Sequence, residues 1–219
     1  TGATGFVGSW ITHALVQRGE DVSVIVRNKK LNSRLHGISE KLKIYEGDLM
    51  SPAIEKVVAE IKPTIVFHLA AYGALPSQQI DTDLLLDTNV KGVVRLINAV
   101  KKYNLKLFIN TGSSSEYGVK DKPMRESDLL EPVNDYGVTK AAATLYVQKI
   151  ANREELPLIT FRLFSPYGAK DDEKRLIPYI ISQALQNKPL ALNSGENVRD
   201  FVYIADVVQA YLQAIDKKF

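Results

Sequence analysis

The stretch that decides the fold is the first eight residues, Thr1-Gly2-Ala3-Thr4-Gly5-Phe6-Val7-Gly8. Its spacing is G-x-x-G-x-x-G, and a helical pattern follows it. Three glycines so placed suit three backbone tasks. Gly2 permits a tight turn, Gly5 lets the main chain approach a pyrophosphate, and Gly8 lets a helix lie close to a sheet. The helix expected over residues 5–18 would aim its free amides and its dipole at that anion. Gly19 supplies the stop signal. Any glycine-rich turn from strand to helix has the same needs, so the spacing alone is a weak signal.

Beyond the loop the chain alternates β-rich runs with helix-length segments. The runs are 22–27 (VSVIVR), 42–46 (LKIYE), 64–69 (TIVFHL), 105–111 (LKLFINT) and 158–164 (LITFRLF). Several are apolar on both faces, as strands covered by helices on each side would be. Helices are expected at 52–61, ending before Pro63, at 88–103 and at 136–154. Val90, Val93, Val94, Ile97 and Val100 form an apolar stripe on the second of these. This rhythm predicts a Rossmann-like, doubly wound α/β fold with a parallel sheet. After Phe164 the rhythm breaks. Short strands near 190–192 and 201–203 are expected to mix with helices near 177–186 and 205–215. The reading therefore divides the chain into a dinucleotide-binding domain, 1–165, and a partial second lobe, 166–219, interleaved with the last elements of the first.

Composition narrows the chemistry. The 219 residues are 45% apolar and 24% charged, with a formal net charge of +3. That is an ordinary globular balance, large enough for a full core without covalent staples. There is no cysteine. A disulfide scaffold, a thiolate zinc site, an iron–sulfur centre and a cysteine nucleophile are thereby excluded. The positive charge is dispersed, no apolar run is long enough to span a bilayer, and the three histidines lack metal-ligand spacing. Neither nucleic acid, nor membrane, nor metal is expected as a partner.

Two positions bear on the dinucleotide. The second strand-like run ends at Arg27, where an acid would bind ribose hydroxyls and an arginine suits a 2′-phosphate. Arg27 therefore leans towards NADP, the alternative being a surface arginine stacked on adenine. Asp48, just past the third run, could accept an adenine amino group or cap the next helix.

A separate set carries proton chemistry. The run at 105–111 leads into Gly112-Ser113-Ser114-Ser115-Glu116-Tyr117-Gly118, and a later helix opens on Tyr136-Gly137-Val138-Thr139-Lys140. Tyr136 and Lys140, four apart, share a helix face. An adjacent ammonium would lower the phenol's pKa and make Tyr136 a general acid or base. A serine hydroxyl at the strand end could hold a substrate oxygen beside it. A lone Tyr-x-x-x-Lys is common by chance; its order after the glycine loop and the serines gives it weight.

Taken together the chain resembles the extended short-chain dehydrogenase/reductases of the nucleotide-sugar epimerase/dehydratase group. The matching segments are TGATGFVG at 1–8, GDL at 47–49, HLAA at 68–71, NVKG at 89–92, the serine cluster closing on Tyr117-Gly118, YGVTK at 136–140, FRLFSPYG at 161–168 and RDFVYIADV at 199–207. The resemblance implies that Gly2, Gly5, Phe6, Val7 and Gly8 bind the pyrophosphate of NAD or NADP. It implies that Asp48 and Leu49 flank the adenine, and that Leu69, Ala70 and Ala71 line the cofactor with Asn89 nearby. Ser113, Tyr136 and Lys140 match the catalytic triad, with Lys140 also anchoring the nicotinamide ribose. Phe164 falls at the nicotinamide, while Ser113, Ser114, Ser165 and Arg199 fall where the nucleotide-diphosphate sugar is held.

The same resemblance implies the reaction. Tyr136 would remove a proton from a sugar hydroxyl, usually at C4, as hydride passes to the nicotinamide, with Ser113 bonding the same oxygen. An epimerase is the leading expectation, and an NADP-dependent ketoreductase of a deoxysugar, suggested by Arg27, is the alternative. A non-catalytic dinucleotide sensor is a third reading, which the intact triad argues against. Dehydratases carry an Asp-Glu pair after the catalytic Thr. Ser114 and Ser115 stand there, and Glu116, one position further on a strand-like segment, would point the other way. Ser165 stands where many epimerases have Asn. A homodimer through the helices at 88–103 and 136–154, and a cytoplasmic location, are expected. The motif order also leads us to expect a central strand before residue 1 and further substrate-lobe chain after 217, so that residues 1–219 alone would be poorly stable.

Overall fold

The computed structural model describes residues 1–28, 33–75, 79, 81–192, 195–196 and 198–217. Helix α1 runs Phe6–Gln17 and strand β1 Ser23–Val26. Gly19 takes φ +82 and lets Glu20 N–H close back on the Leu15 carbonyl at 3.1 Å, so the helix stops where the glycine falls. β2 is Lys43–Glu46, α2 Ile54–Ile61 and β3 Ile65–His68. A continuous helical stretch follows, made of α3 Thr82–Leu86, a π segment Asp87–Lys91 and α4 Gly92–Val100. Next come β4 Leu107–Ser113, α5 Asp135–Glu154 and β5 Leu158–Leu163. The last elements are β6 Pro166–Tyr167, α6 Leu176–Leu185, β7 Val202–Tyr203 and α7 Ile204–Asp216.

All strand pairings are parallel. β1 bonds β2, β4 lies between β3 and β5, and β6 bonds β7. The facing edges of β1 and β3 are not bonded. Between them lies a cavity of about 390 Å3, lined by Val24, Ile25, Val66 and Phe67 among others. Thr1 also lines it, donating its amino group to the Phe67 carbonyl at 2.8 Å and accepting from Leu69 N–H at 3.2 Å.

Both faces of the sheet are covered, which explains the doubly apolar strands. On one face α1 and α7 bury Ile11, Leu15 and Tyr211 against Val24 and Ile109. On the other α2, α4 and α5 bury Val58, Ile97, Val147 and Ile150 against Val66 and Phe108. Within β4, Phe108 faces one layer and Leu107 and Ile109 the other, the two-residue alternation of a strand. Tyr211 of α7 also shares a hydrogen bond with Thr111 at 2.7 Å and packs edge-on to Phe161 at 4.9 Å.

Two expectations are corrected. Residues 190–192 form no strand; they are irregular and exposed, because no neighbouring edge pairs with them. The helix expected at 88–103 begins earlier, at Thr82, where Asp81 caps it by accepting Leu84 N–H at 2.9 Å. The π segment admits one extra residue per turn and carries Asn89 inward, 1% exposed.

Candidate active site

The glycine loop packs against the end of β3. Gly2, at φ +76, lies so close that a Cβ there would stand 2.5 Å from the Ala70 nitrogen. A Cβ on Gly8 would stand 2.1 Å from the Gly2 carbonyl oxygen. The loop and α1 are thus pressed on the chain that leaves β3, which is where Leu69, Ala70 and Ala71 sit. Gly5 is exposed at the N-cap of α1, whose side chain offers no cap and whose first turn carries no acid. The first-turn amides of Phe6, Val7 and Gly8 consequently have no partner within the helix. That is a fit for a pyrophosphate.

Other proposed cofactor residues fall into distinct surroundings. Arg27 is exposed just past β1. The Asp48 carboxylate accepts Met50 N–H at 2.9 Å in a local turn and does not cap α2, which has Ala53 at its N-cap. Leu49 is buried in the core. Asn89 is wholly engaged by protein. It accepts from Tyr72 N–H at 2.9 Å and donates to the Tyr72 carbonyl at 2.9 Å and to Thr139 at 3.0 Å. It therefore fastens the loop after β3 to α5.

Ser113, Tyr136 and Lys140 are brought together. Ser113 ends β4 and caps a short 3-10 turn, Ser114–Glu116. Its hydroxyl accepts from Ser115 N–H at 3.1 Å, and it acts on the Tyr136 phenol, whose pKa it lowers. Tyr136 opens α5, whose N-cap Asn134 accepts Gly137 N–H at 2.8 Å. A Cβ on Gly137 would stand 2.5 Å from the Ser115 carbonyl oxygen, so glycine lets α5 dock on the serine turn. Lys140, one helical turn further, is 2% exposed.

The electrostatics correct one expectation. Burial pushes the Tyr136 phenol above its ordinary pKa; the Ser113 hydrogen bond, then the Arg175 guanidinium, pull it back, and Glu116 pushes it up. Lys140 is not among the groups that lower it. Its own ammonium is lowered to about 8 by burial, partly offset by Glu116. Behind it His68, at the end of β3, is held well below its ordinary pKa by burial and by the Lys140 charge, so its ring is neutral. The His68 ring meets the Thr1 hydroxyl at 2.7 Å.

Arg175, Glu116 and Arg162 also belong to the site, with no role read for them from the sequence. Arg175, the N-cap of α6, lies 3.6 Å from Asp171 and faces Tyr136; only a lone cation before an apolar helix marked it. Glu116 lies in a 3-10 turn and not on a strand, which corrects the expectation that it points away from Ser113. Its carboxylate is fully buried and bonded to Ser113 N–H and Arg162. Phe164 lies 6.2 Å from Tyr117, ring to ring, and Ser165 accepts Val202 N–H through its carbonyl at 3.4 Å. Arg199 is exposed, and among the described residues no hydrogen bond or ion pair joins it to Ser113, Tyr136 or Lys140.

A glycine loop at the start of α1, a parallel sheet covered on both faces and a Ser–Tyr–Lys centre at the strand ends define an extended short-chain dehydrogenase/reductase. Within that class the chain belongs to the NAD dependent epimerase/dehydratase family, whose model matches residues 1–219. It is 29% identical to a dTDP-D-glucose 4,6-dehydratase of Dictyostelium discoideum, over 96% of this chain and 53% of that protein. It is 28% identical to a UDP-glucose 4-epimerase of Lactobacillus helveticus, over 98% of this chain and 70% of that one. The chain thus spans between about half and seven tenths of these relatives. Among solved structures it is similar to the UDP-N-acetylglucosamine 4-epimerase of Methanobrevibacter ruminantium, with TM-score 0.89 and 29% identity over all of this chain and 72% of that one. It is also similar to the UDP-glucuronic acid 4-epimerase of Bacillus cereus in complex with UDP-glucuronic acid and NAD, with TM-score 0.85 and 27% identity over 100% and 72%.

Proposed function

We propose that the protein is an NAD(P)-dependent nucleotide-sugar 4-epimerase. The observation that carries this reading is the Ser113 hydroxyl acting on the Tyr136 phenol, with Lys140 buried one helical turn further along α5 and the Glu116 carboxylate next to Ser113 already engaged. Ser114 and Ser115 occupy the positions after Ser113, and the Glu116 carboxylate is spent on Arg162 and Ser113 N–H. An acid and a base at those positions would serve water elimination, so the serines and the engaged carboxylate favour the epimerase over the dehydratase reading.

The residues present fit a dinucleotide. Phe6, Val7 and Gly8 would hold its pyrophosphate through their amides, and Lys140 its nicotinamide ribose. When bound, the dinucleotide supplies hydride transfer. Tyr136 takes the proton of the sugar C4 hydroxyl and later returns it. Ser113 bonds the same oxygen and orients it. Arg175 is poised to stabilise negative charge at the phenol. Arg199, exposed beside β7, would reach the diphosphate of the sugar nucleotide, its fork of donors suiting that anion.

Arg27 supports a second reading, an NADP-dependent 4-ketoreductase, since it is exposed where a 2′-phosphate would lie. Incubation of the full-length protein with UDP-, dTDP-, GDP- and CDP-sugars and either dinucleotide, read by NMR and mass spectrometry, decides between them. An epimerase yields the C4 epimer with no net change in reduced nicotinamide. A ketoreductase consumes NADPH stoichiometrically. Tight dinucleotide binding without turnover of any sugar would overturn both in favour of a sensor. Tyr136→Phe should cost about a hundredfold or more in kcat, the usual size of a general-base contribution. We further propose a homodimer through the α4 and α5 faces. Val138 and Leu145 of α5 are 49% and 55% exposed, and light scattering would test it.

A further inference from the structure

Beneath the serine turn lies a buried ion pair that the proton chemistry does not use. Glu116 is 0% exposed and Arg162, on β5, is 10% exposed at the side chain. The guanidinium Nε donates to Glu116 Oε2 at 2.8 Å, and another of its nitrogens donates to the Tyr117 hydroxyl at 2.8 Å. The same group stacks 4.8 Å from the centre of the Tyr117 ring. The second carboxylate oxygen, Oε1, accepts Ser113 N–H at 2.8 Å. Gly112, paired with Arg162 across the sheet, leaves the room. A Cβ there would stand 2.5 Å from Oε1 and 3.1 Å from Arg162 Cγ.

A buried ion pair is weak evidence for stability, because desolvation offsets much of the attraction. Its geometric effect is clearer. The carboxylate bridges two strands at the residue where β4 ends, and it fixes the backbone of Ser113, whose hydroxyl acts on the Tyr136 phenol. We propose that Glu116, held by Arg162, is a positioning residue that locks the turn aiming the Ser113 hydroxyl at the Tyr136 phenol. This rests on the catalytic reading of Ser113 and Tyr136 given above. The charged groups that act on that phenol are Arg175 at the start of α6 and Glu116 on the serine turn with Arg162 behind it, while Lys140 lies one turn further along the same helix.

The test is Glu116→Asp in the full-length protein. It keeps the charge and shortens the reach by one methylene. Losing the Ser113 bond removes the strongest influence holding the Tyr136 pKa down, so that pKa rises. Tyrosinate titration by ultraviolet difference, each protein against its Tyr136→Phe counterpart, reads this without any sugar. The acid limb of the kcat–pH profile should move up with it. Near neutral pH kcat should fall about tenfold, the worth of one charge-assisted hydrogen bond, with KM nearly unchanged. Arg162→Lys keeps the positive charge and loses the fork, and it should lower kcat in the same way. Combined with Glu116→Asp it should add little, because both act through one turn. A folded Glu116→Asp protein whose Tyr136 titration is unchanged or lowered would overturn the assignment. A raised titration in a protein that turns over no nucleotide sugar would sink the epimerase reading and leave the positioning assignment standing.

Discussion

Lys140→Met should stabilise the protein while abolishing its activity. Lys140 is 2% exposed, and its ammonium is lowered from 10.5 to about 8, first by burial. At about 1.4 kcal/mol per pH unit, that gap corresponds to about 3 kcal/mol by which folding disfavours the charged form. Below pH 8 both folded and unfolded chains carry the proton and the full cost is present. Between pH 8 and 10.5 the unfolded chain keeps a proton that the folded chain has released, so wild-type stability gains relative to the variant. Methionine fills nearly the same volume with no charge, on a helix that also buries Ala143 and Val147. The advantage of Lys140→Met should therefore be up to about 3 kcal/mol at neutral pH and should fade across that window. Urea unfolding of the cofactor-free full-length protein at a series of pH values, followed by circular dichroism, measures it. A variant less stable than wild type at neutral pH, or an advantage that does not decline towards pH 10.5, would refute the reasoning.

Two other outcomes follow from the same geometry. Gly8→Ala would put a Cβ 2.1 Å from the Gly2 carbonyl, where ordinary contact begins near 3.4 Å, so α1 must retreat by about 1.3 Å. Overpacking of about 1–3 kcal/mol outweighs alanine's helix advantage of about 1 kcal/mol. A lower Tm and at least about tenfold weaker dinucleotide binding by calorimetry are expected. Arg175→Gln removes a cation that lowers the Tyr136 pKa. The base is then lost at higher pH, so the acid limb of the kcat profile should move up, and Arg175→Lys should restore most of it.

Much of the fold was legible because its signals are local. The glycine loop, the stop at Gly19 and the doubly apolar runs each depend on a few adjacent residues, and each element fell within a few positions of its expected place. Residues 190–192 failed because two or three apolar residues make a strand only if an edge is free to pair with them. The start of α3 was missed because its signal is a single cap, Asp81, ahead of a π segment that breaks the 3.6-residue period.

The site divides the same way. The identities and order of Ser113, Tyr136 and Lys140 are a matter of sequence, since Tyr136 and Lys140 share a helix turn and Ser113 follows a strand. What those groups experience is not. The high phenol pKa, the ammonium near 8 and the neutral His68 arise from burial and from charges on three different elements, the serine turn, α5 and the start of α6. Glu116 and Arg162 stand 46 residues apart, and Arg175 comes from the far end of the chain. Sequence by itself determined the fold class and which candidate residues share a helix face or close a strand, because covalent spacing sets helix faces and strand ends. Only the tertiary structure decided which charges face the phenol and which carboxylate is already engaged, because desolvation and Coulomb terms depend on distance in space rather than along the chain.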